Sequence, residues 1–246
     1  MHSLRASDTW QPMASFSHES FPLGLSRAKE IPHPNFYVKA LDGEFSFWAF
    51  SEDRAPQYKG CWREKVFEQN IDFPIDLEIG TGNGYFFAHR SESAPHRGLV
   101  GIELKFKPLI QSIRRALRRG STNSRIVRFN ASLVDMLFAE GELNNIYIHH
   151  PDPWEKRRKH KHRLIQSEYL ERLYLLQRKD SFVEFKTDSR DYFDWSLDRF
   201  RKSPYRLGAL SYDLHQSELA QANFMTHFEK IFVAQGQPIH YALFHK

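Results

Sequence analysis

Three alternating glycines, preceded by an acidic residue, form the segment of this chain best suited to binding a ligand. The run reads Asp76-Leu77-Glu78-Ile79-Gly80-Thr81-Gly82-Asn83-Gly84. An apolar strand that runs into glycines and then into a helix can turn tightly and bring its backbone N–H groups close to a polar ligand. Ligands of open parallel sheets lie outside the carboxyl ends of the strands. We therefore predict that Gly80, Gly82 and Gly84 line a binding site for a small polar molecule.

The spacing of these glycines narrows the choice of ligand. A dinucleotide site would read G-x-G-x-x-G, whereas this loop reads G-x-G-x-G and places Glu78 where it would repel a pyrophosphate. A ligand with positive charge and no phosphate, such as S-adenosylmethionine, fits better, and a nicotinamide oxidoreductase is the disfavoured alternative. In the opposing interpretation the glycines only form a turn and the acids are solvated.

Polar residues also end the next two predicted strands. Glu103 ends the strand after the glycine loop, where a carboxylate can accept hydrogen bonds from both ribose hydroxyls. Asn130 follows the third strand, where it could hydrogen-bond an adenine ring or simply cap a helix. We assign both to the cofactor site and leave the capping alternative for Asn130 open.

A strongly basic loop follows the fourth predicted strand. It begins His149-His150-Pro151-Asp152-Pro153-Trp154-Glu155, and Lys156–Arg163 then hold six Lys or Arg and two His in eight positions. Flanking prolines restrict the backbone around Asp152, so its carboxylate is expected at the mouth of the ligand crevice. Trp154 offers a face for base stacking, and the dense charge suits a polyphosphate partner. The predicted RNA contacts are Arg157, Arg158, Lys159, Lys161 and Arg163.

The elements that must position these residues alternate between short apolar runs and longer helical patterns, which predicts a parallel sheet with helices on both faces. Expected strands are Ile75–Ile79, Leu99–Ile102, Arg125–Phe129, Asn145–His149, Ser181–Lys186 and Ile239–Phe244. Expected helices are Phe106–Arg119, Leu164–Arg178 and Asp191–Phe200. Residues 1–30 read as a flexible arm, and Phe36–Phe50 as a hairpin or short strands around Asp42-Gly43.

Composition limits the class of protein. The 246 residues are 41% hydrophobic, carry 35 Lys and Arg against 30 Asp and Glu, and include one cysteine, Cys61. These numbers exclude a disulfide scaffold, argue against a thiolate zinc site, and suggest a reducing compartment, for which the cytoplasm is the default. No apolar run approaches the length of a membrane span, and histidines among so many cations make a metal site improbable.

Together these motifs resemble the tRNA (guanine-N7)-methyltransferase family of bacterial type. The resemblance covers about residues 75–240 and adds three segments to the glycine loop and Gly101-Ile102-Glu103. These are Pro151-Asp152-Pro153-Trp154-x-Lys156 with its basic tail, Phe185-Lys186-Thr187-Asp188, and Thr226-x-Phe228-Glu229 followed by Gly236-x-Pro238-Ile239.

The family resemblance implies a class I, Rossmann-like α/β methyltransferase fold. Residues 1–70, which are rich in Ser, His, Pro and Phe and poor in periodicity, indicate an N-terminal arm and appendage before a methyltransferase domain in residues 71–246. The resemblance also implies that Glu78, Glu103 and Asn130 contact S-adenosylmethionine, and that the catalytic Asp152 lies where this methyl donor meets guanine. Substrate tRNA would be held by Lys156, Asp188, Thr226, Phe228 and Glu229. The chain could act as a monomer or a homodimer.

Four features depart from the family pattern. Asn130 stands where Asp is usual, His149-His150 replaces an apolar-aromatic pair, Glu155 replaces proline or a neutral residue, and residues 1–70 lack the usual opening. They leave two further alternatives open: a methyltransferase for another nucleic-acid or protein acceptor, and a tRNA-binding homologue with impaired catalysis.

Overall fold

The computed structural model describes residues 27–246 of the protein. Their central element is an eight-stranded sheet. The spatial order is β1-β4-β3-β2-β5-β6-β8-β7, and all pairs are parallel except β6 with β8 and β8 with β7. The strands are β1 Ala49–Phe50, β2 Ile75–Ile79, β3 Gly98–Glu103, β4 Ser124–Arg128, β5 Ile146–His149, β6 Phe182–Thr187, β7 Arg206–Ser211 and β8 His240–His245. This confirms the mostly parallel sheet.

The described part of the chain contains six α-helices. They are α1 Phe36–Asp42, α2 Tyr85–Ser93, α3 Phe106–Arg118, α4 Ser167–Leu176, α5 Arg190–Arg201 and α6 His227–Ala234. Shorter helical turns include the 3-10 helix Arg157–His162. None of the helices within residues 27–246 has the length and apolar character that crossing a bilayer requires.

Two apolar cores lie on opposite faces of the sheet. Alternation along β3 and β4 sends Val100 and Val127 into the core under α4 and α5, whereas Leu99 and Ile126 pack with α1 and α3. On α3, the apolar residues Leu109, Ile113 and Ala116 are buried. Along α4, Leu170, Leu173 and Leu176 are buried, whereas Leu175 is only half-buried. Helices therefore cover both faces, as predicted.

The prediction of a hairpin or short strands in Phe36–Phe50 is wrong for Phe36–Asp42, which is helical, and only Ala49–Phe50 forms a short strand. The Asn35 side chain accepts hydrogen bonds from the N–H groups of Tyr37 and Val38, so it caps a helix. Gly43 ends this helix with its N–H on the Lys39 carbonyl, so Asp42-Gly43 is a helix end and not a hairpin turn.

Part of the predicted N-terminal region can be compared with the structure. Residues 1–26 of the predicted arm lie outside the described residues. Further along, β1 pairs with β4, and Trp62 and Phe67 pack into the core that contains β2 and β5. The described part of residues 1–70 thus completes the sheet and both cores, and the division at residue 70 stays a prediction.

Buried charge in β2 separates a structural acid from a candidate functional one. The Asp76 carboxylate forms ion pairs with Arg90 Nη2 at 2.8 Å and Arg97 Nη2 at 2.6 Å, and it accepts a hydrogen bond from the Asn145 N–H at 3.1 Å. These bonds satisfy Asp76 inside the fold. Glu78, two residues further along the same face, lacks such partners and lies at the carboxyl end of the strand, where the candidate site begins.

Candidate active site

The glycine loop joins β2 to α2 through a backbone that only glycine adopts easily. Gly80, Gly82 and Gly84 all have positive φ angles, between 53° and 79°. At Gly84 a Cβ atom would lie 2.3 Å from the Ser112 Cα atom, so α2 can approach α3 only without a side chain there. The third glycine of the motif therefore serves helix packing.

Protein groups already bind several backbone N–H groups of this loop. The N–H groups of Gly80 and Thr81 donate to the Ile102 carbonyl at 2.9 and 3.3 Å, and that of Gly82 donates to Glu103 Oε2 at 3.0 Å. The Gly84 N–H donates to the Thr81 carbonyl at 2.9 Å. A pyrophosphate would need such donors. Their use within the fold argues further against a dinucleotide site.

Glu78 is a buried carboxyl that lacks a compensating cation at hydrogen-bond distance. Its side chain is 2% exposed, and Oε2 has no hydrogen-bond partner among residues 27–246. Burial and the nearby charge of Glu103 raise the pKa of Glu78 to about 8, against the opposing charge of Lys186. A cationic ligand would compensate this carboxylate, so the residue fits a ligand with an ammonium or sulfonium group.

Glu103 and Asn130 lie at the ends of β3 and β4, as predicted. Glu103 accepts hydrogen bonds from the N–H groups of Gly82 and Lys105, at 3.0 and 2.9 Å, while burial raises its pKa. A carboxylate has about four acceptor positions, so two hydroxyl groups can still bind it. The Asn130 oxygen accepts from the Ser132 N–H at 3.0 Å and hydroxyl at 2.9 Å, which confirms the capping alternative and leaves its NH₂ group as the available donor.

A cavity lies between the glycine loop, the end of β5 and the start of α6. Its volume is about 70 Å³, and it is open to solvent. Its lining is Glu78, Gly80, Thr81, Asn83, Tyr85, Phe86, His149, His150, Thr226, His227 and Phe228. Four of these were predicted site residues: Glu78, Gly80, Thr226 and Phe228. The sequence marks His149 and His150 only as departures from the family pattern.

The start of α6 packs directly against the glycine loop. The Thr226 hydroxyl caps α6 by accepting the Glu229 N–H at 3.2 Å. The rings of Tyr85 and His227 stack at 4.9 Å, and the Arg115 guanidinium lies 3.8 Å from the centre of the Tyr85 ring on α2. Phe228 is 49% exposed beside Gly82. The segment predicted to hold substrate therefore forms one wall of the cavity.

Glu229 lies behind this wall and not in it. Its carboxylate is fully buried, accepts from Asn223 Nδ2 at 2.9 Å and lies 3.2 Å from Lys186 Nζ. Burial alone would raise its pKa, but hydrogen bonds and the charge of Lys186 hold the pKa well below its usual range. Glu229 is thus bonded to Lys186 and, through its N–H, to the Thr226 cap of α6, and its carboxylate is not exposed.

The Asp152 loop is anchored on both sides while its carboxylate stays exposed. On one side the His150 N–H donates to the Lys186 carbonyl at 2.8 Å. On the other side Arg163 Nε donates to the Pro153 carbonyl at 2.8 Å. Asp152 does not line the cavity described above, and neither do Lys156, Asp188 or Asn130. Asp188 is joined to the cavity wall through His150, whose Nδ1 lies 3.2 Å from Asp188 Oδ1.

Most of the basic loop forms an exposed surface. The side chains of Lys156, Arg157, Arg158, Lys159 and Lys161 are exposed, and none forms an ion pair with another residue between 27 and 246. Trp154 is 36% exposed with Lys159 Nζ 5.3 Å from its ring centre. Uncompensated cations next to an exposed aromatic ring suit a nucleic-acid backbone and its bases.

Arg163 differs from its neighbours, and its prediction as an RNA contact needs correction. Its side chain is fully buried, pairs with Asp191, and lies 5.1 and 5.0 Å from the ring centres of Tyr192 and Trp195. The sequence pattern did not distinguish this last cation of the run from the exposed ones. Arg163 holds the loop in place.

The histidine-rich and acidic segments do not assemble a metal site in the described chain. No group of three or more His, Cys, Asp or Glu side chains with a metal-binding arrangement is found in residues 27–246.

Comparisons with known proteins identify the family of this chain. Residues 72–242 match the family described as "Putative methyltransferase". A tRNA (guanine-N(7)-)-methyltransferase of Bdellovibrio bacteriovorus is 50% identical over 84% of this chain and 99% of that protein. A tRNA (guanine-N(7)-)-methyltransferase of Lachnoclostridium phytofermentans is 39% identical over 87% of this chain and 95% of that protein. The solved 16S rRNA methyltransferase KamB shares the fold alone, with a TM-score of 0.51 at 12% identity over 72% of this chain and 91% of that chain.

The two curated relatives are aligned over nearly their whole length, and the family match spans the residues from Glu78 and Glu103 to Asp152 and Asp188. The family match and the two alignments thus cover most of the chain. The chain belongs to the tRNA (guanine-N7)-methyltransferase family.

Proposed function

We propose that the protein transfers the methyl group of S-adenosylmethionine to N7 of a guanosine in the variable loop of tRNA. One observation carries this proposal: Glu78, a buried carboxyl with an unpartnered oxygen, shares a cavity with Thr226 and Phe228. A site for a cationic ligand and a segment assigned to substrate thus face each other. The exposed cations of Lys156–Lys161 lie on the loop that follows the same sheet edge.

The residues of this edge fit the methyl donor group by group. Glu78 would compensate its positive charge, Glu103 has acceptor positions for ribose hydroxyls, and the Asn130 NH₂ group can donate to the adenine ring. Gly80 and Gly82 allow close approach of the backbone. When bound, S-adenosylmethionine supplies an electrophilic methyl group on a sulfonium sulfur.

The demands on the protein are positioning and charge compensation. Guanine N7 carries an in-plane lone pair and no proton, so no side chain has to remove a proton before attack. Holding the base in line with the methyl group can supply up to roughly 7–11 kcal/mol in the best cases. Asp152 would accept hydrogen bonds from the Watson–Crick edge and offset the positive charge that develops on the base.

Substrate tRNA would contact the exposed cations Arg157, Arg158, Lys159 and Lys161 through its backbone, with Lys156 and Asp188 nearer to the base. Thr226 and Phe228 would contact the base from α6, where Phe228 offers an exposed ring for stacking. Glu229 and Arg163 would support these contacts from behind. Reaction in the cytoplasm follows from tRNA as substrate.

The test is methyl transfer from labelled S-adenosylmethionine to tRNA that lacks the modification, followed by mass spectrometry of the digested nucleosides. We expect 7-methylguanosine at one position in the variable loop. A label in another nucleoside, or in protein, would overturn the acceptor assignment while keeping the donor. Absence of any transfer by a folded protein that binds tRNA would favour the impaired homologue.

Asp152→Ala tests the assigned catalytic residue. In single-turnover assays we expect a loss of about a hundredfold, with binding of S-adenosylhomocysteine retained, because charge compensation acts mainly in the transition state. Glu155→Ala is the matched control, since it removes the same charge from the same exposed loop. Equal rates for wild type and Asp152→Ala would remove Asp152 from the mechanism.

A further inference from the structure

His149, the last residue of β5, has a ring nitrogen without a hydrogen-bond partner beside the proposed site for S-adenosylmethionine. Its side chain is 6% exposed and its Nε2 atom lies 2.8 Å from Glu184 Oε1. Its other ring nitrogen, Nδ1, is buried and has no hydrogen-bond partner among residues 27–246. The ring is held edge-on to Phe86, with centroids 4.5 Å apart, so its orientation is fixed.

The surroundings of His149 determine which nitrogen carries the proton. Burial and the charge of Lys186 lower the pKa of His149, so the imidazole is neutral at physiological pH. Burial opposes ionisation of Glu184, but its bond to His149 and the charge of Lys186 keep its pKa below the usual range. A carboxylate only accepts hydrogen bonds, which assigns the proton to Nε2 and leaves Nδ1 with a lone pair.

His149 and Glu78 lie on the same face of the sheet. Their strands are adjacent and parallel, with Glu78 paired to Tyr147, and side chains two residues apart in a strand share a face. Both residues line the same cavity, and each has a buried polar atom, Glu78 Oε2 or His149 Nδ1, without a partner in the described chain. The Glu78 oxygen is an acceptor once a bound cation favours ionisation of the carboxyl. A protein rarely buries two acceptors in one place unless a donor group joins them.

An ammonium group is the donor that fits two such acceptors, because it offers three N–H bonds and a positive charge. Lys186 does not fill this role, since its Nζ atom is directed to Glu229, Asn223 and the Phe224 carbonyl. The proposed methyl donor carries one ammonium group, on its amino-acid part, and guanine carries none.

We propose that His149 Nδ1 accepts a hydrogen bond from the amino group of bound S-adenosylmethionine, alongside the Glu78 carboxylate, and thereby recognises the amino-acid part of the donor. This inference rests on the proposed function for the identity of the donor. It gives a binding role to one of the two histidines that depart from the family pattern.

The experiment compares two ligands by calorimetry: S-adenosylhomocysteine and 5′-methylthioadenosine, which lacks the amino-acid part. His149→Phe keeps an aromatic ring against Phe86 but removes the acceptor. We expect it to weaken S-adenosylhomocysteine at least tenfold and to leave 5′-methylthioadenosine unchanged, since a hydrogen bond to a charged group is lost only with the first ligand. His89→Phe is the control, because His89 stacks on Phe224 outside the cavity lining, and it should change neither affinity.

Equal loss of both ligands, or no loss of either, would overturn the role of His149 while leaving the methyl donor in place. If the wild-type protein binds neither ligand, the proposed donor is wrong and the inference falls with it. A measurement on the wild type avoids dependence on the folding of the variant: the ¹⁵N signal of His149 Nδ1 should shift with S-adenosylhomocysteine and not with 5′-methylthioadenosine.

Discussion

His150 Nδ1 lies 3.2 Å from Asp188 Oδ1, and this contact joins the loop after β5 to the loop after β6. On the other side of the ring, Nε2 lies 4.0 Å from Glu229 Oε1 in α6. His150 also has a φ angle of 49°, which a residue with a side chain adopts only when its surroundings hold it there. One imidazole thus connects three segments that carry proposed substrate-binding residues.

The first prediction concerns the stability that this imidazole contributes. Burial alone would lower the pKa of His150, but its interactions with Asp188 and Glu229 outweigh burial and raise it. The protonated form is therefore stabilised in the folded state. This stability is fully present below the unfolded pKa and is lost as pH rises through the folded pKa.

In urea unfolding, His150→Phe should therefore have a free energy of unfolding about 1.5–3 kcal/mol below that of the wild type in acidic buffer. The difference should be smaller in alkaline buffer. Asp188→Asn should cause part of the same pH-dependent loss of stability. The double variant should lose less free energy of unfolding than the two single variants together, because both remove the same contact. A gap between wild type and His150→Phe that stays constant with pH would contradict the charged pairing.

The second prediction is that Glu78 reduces the stability of the ligand-free protein. The pKa of Glu78 is about 8 in the folded protein, above its ordinary value of 4.5. The resulting loss in the free energy of unfolding is absent below pH 4.5, grows between pH 4.5 and about 8, and stays constant above that. Glu78→Gln keeps the shape and removes the ionisation. We expect it to raise the free energy of unfolding more at pH 8 than at pH 6, by about 2 kcal/mol between them.

Thermal or urea unfolding of both proteins at the two pH values measures this effect, and calorimetry with S-adenosylhomocysteine measures its counterpart. The more stable variant should bind the ligand more weakly, as expected when a charge is buried for function. If Glu78→Gln stabilised the protein equally at both pH values, the Glu78 carboxyl would not be the titrating group.

The sequence predicts best where one local pattern decides the structure. Strand β2 was predicted at its observed bounds because its apolar run ends at glycine, and α3 was one residue too long because its apolar stripe ends beside Gly120. In Phe36–Phe50 the signal was ambiguous, since Asp42-Gly43 can end a helix or turn a hairpin, and the cap at Asn35 decided between them.

Long-range contacts were beyond local patterns. Strand β7 was missed because its edge position leaves Leu207 and Leu210 exposed, so burial does not produce an alternating pattern. The partner of His149 is Glu184, 35 residues away, and only the pairing of β5 with β6 brings them together. Glu78 and Glu103 were predictable as strand-end acids, whereas the burial that shifts their pKa values depends on the packed site.

The third prediction tests the exposed cations of the basic loop. Substituting Arg157, Arg158 and Lys161 together by alanine should weaken tRNA binding and reduce the slope of log affinity against log salt by about 2, as expected for about three lost phosphate contacts. The matched control replaces Lys179, Arg201 and Lys202, which are exposed cations near the amino ends of β6 and β7. Binding titrations at several salt concentrations measure both. An unchanged slope for the first variant would place the tRNA elsewhere.

The last prediction separates Arg163 from the cations that precede it. Alanine at this position removes a fully buried side chain, its bond to the Pro153 carbonyl and its contacts with Tyr192 and Trp195. We expect Arg163→Ala to lower the free energy of unfolding by about 2 kcal/mol and to leave the salt slope of tRNA binding unchanged. Arg158→Ala should do the reverse, with unchanged stability and a slope smaller by about 0.7–0.9.

Because both variants lose one positive charge from the same loop, the comparison depends only on where each side chain points. Loss of the Arg163 anchor should also loosen Asp152, so methyl transfer should slow even at tRNA concentrations that saturate the protein, whereas saturation should restore the rate of Arg158→Ala. If Arg163→Ala instead lowered the salt slope without changing stability, Arg163 would have to leave its pocket and contact RNA, and the loop would need another anchor at Pro153.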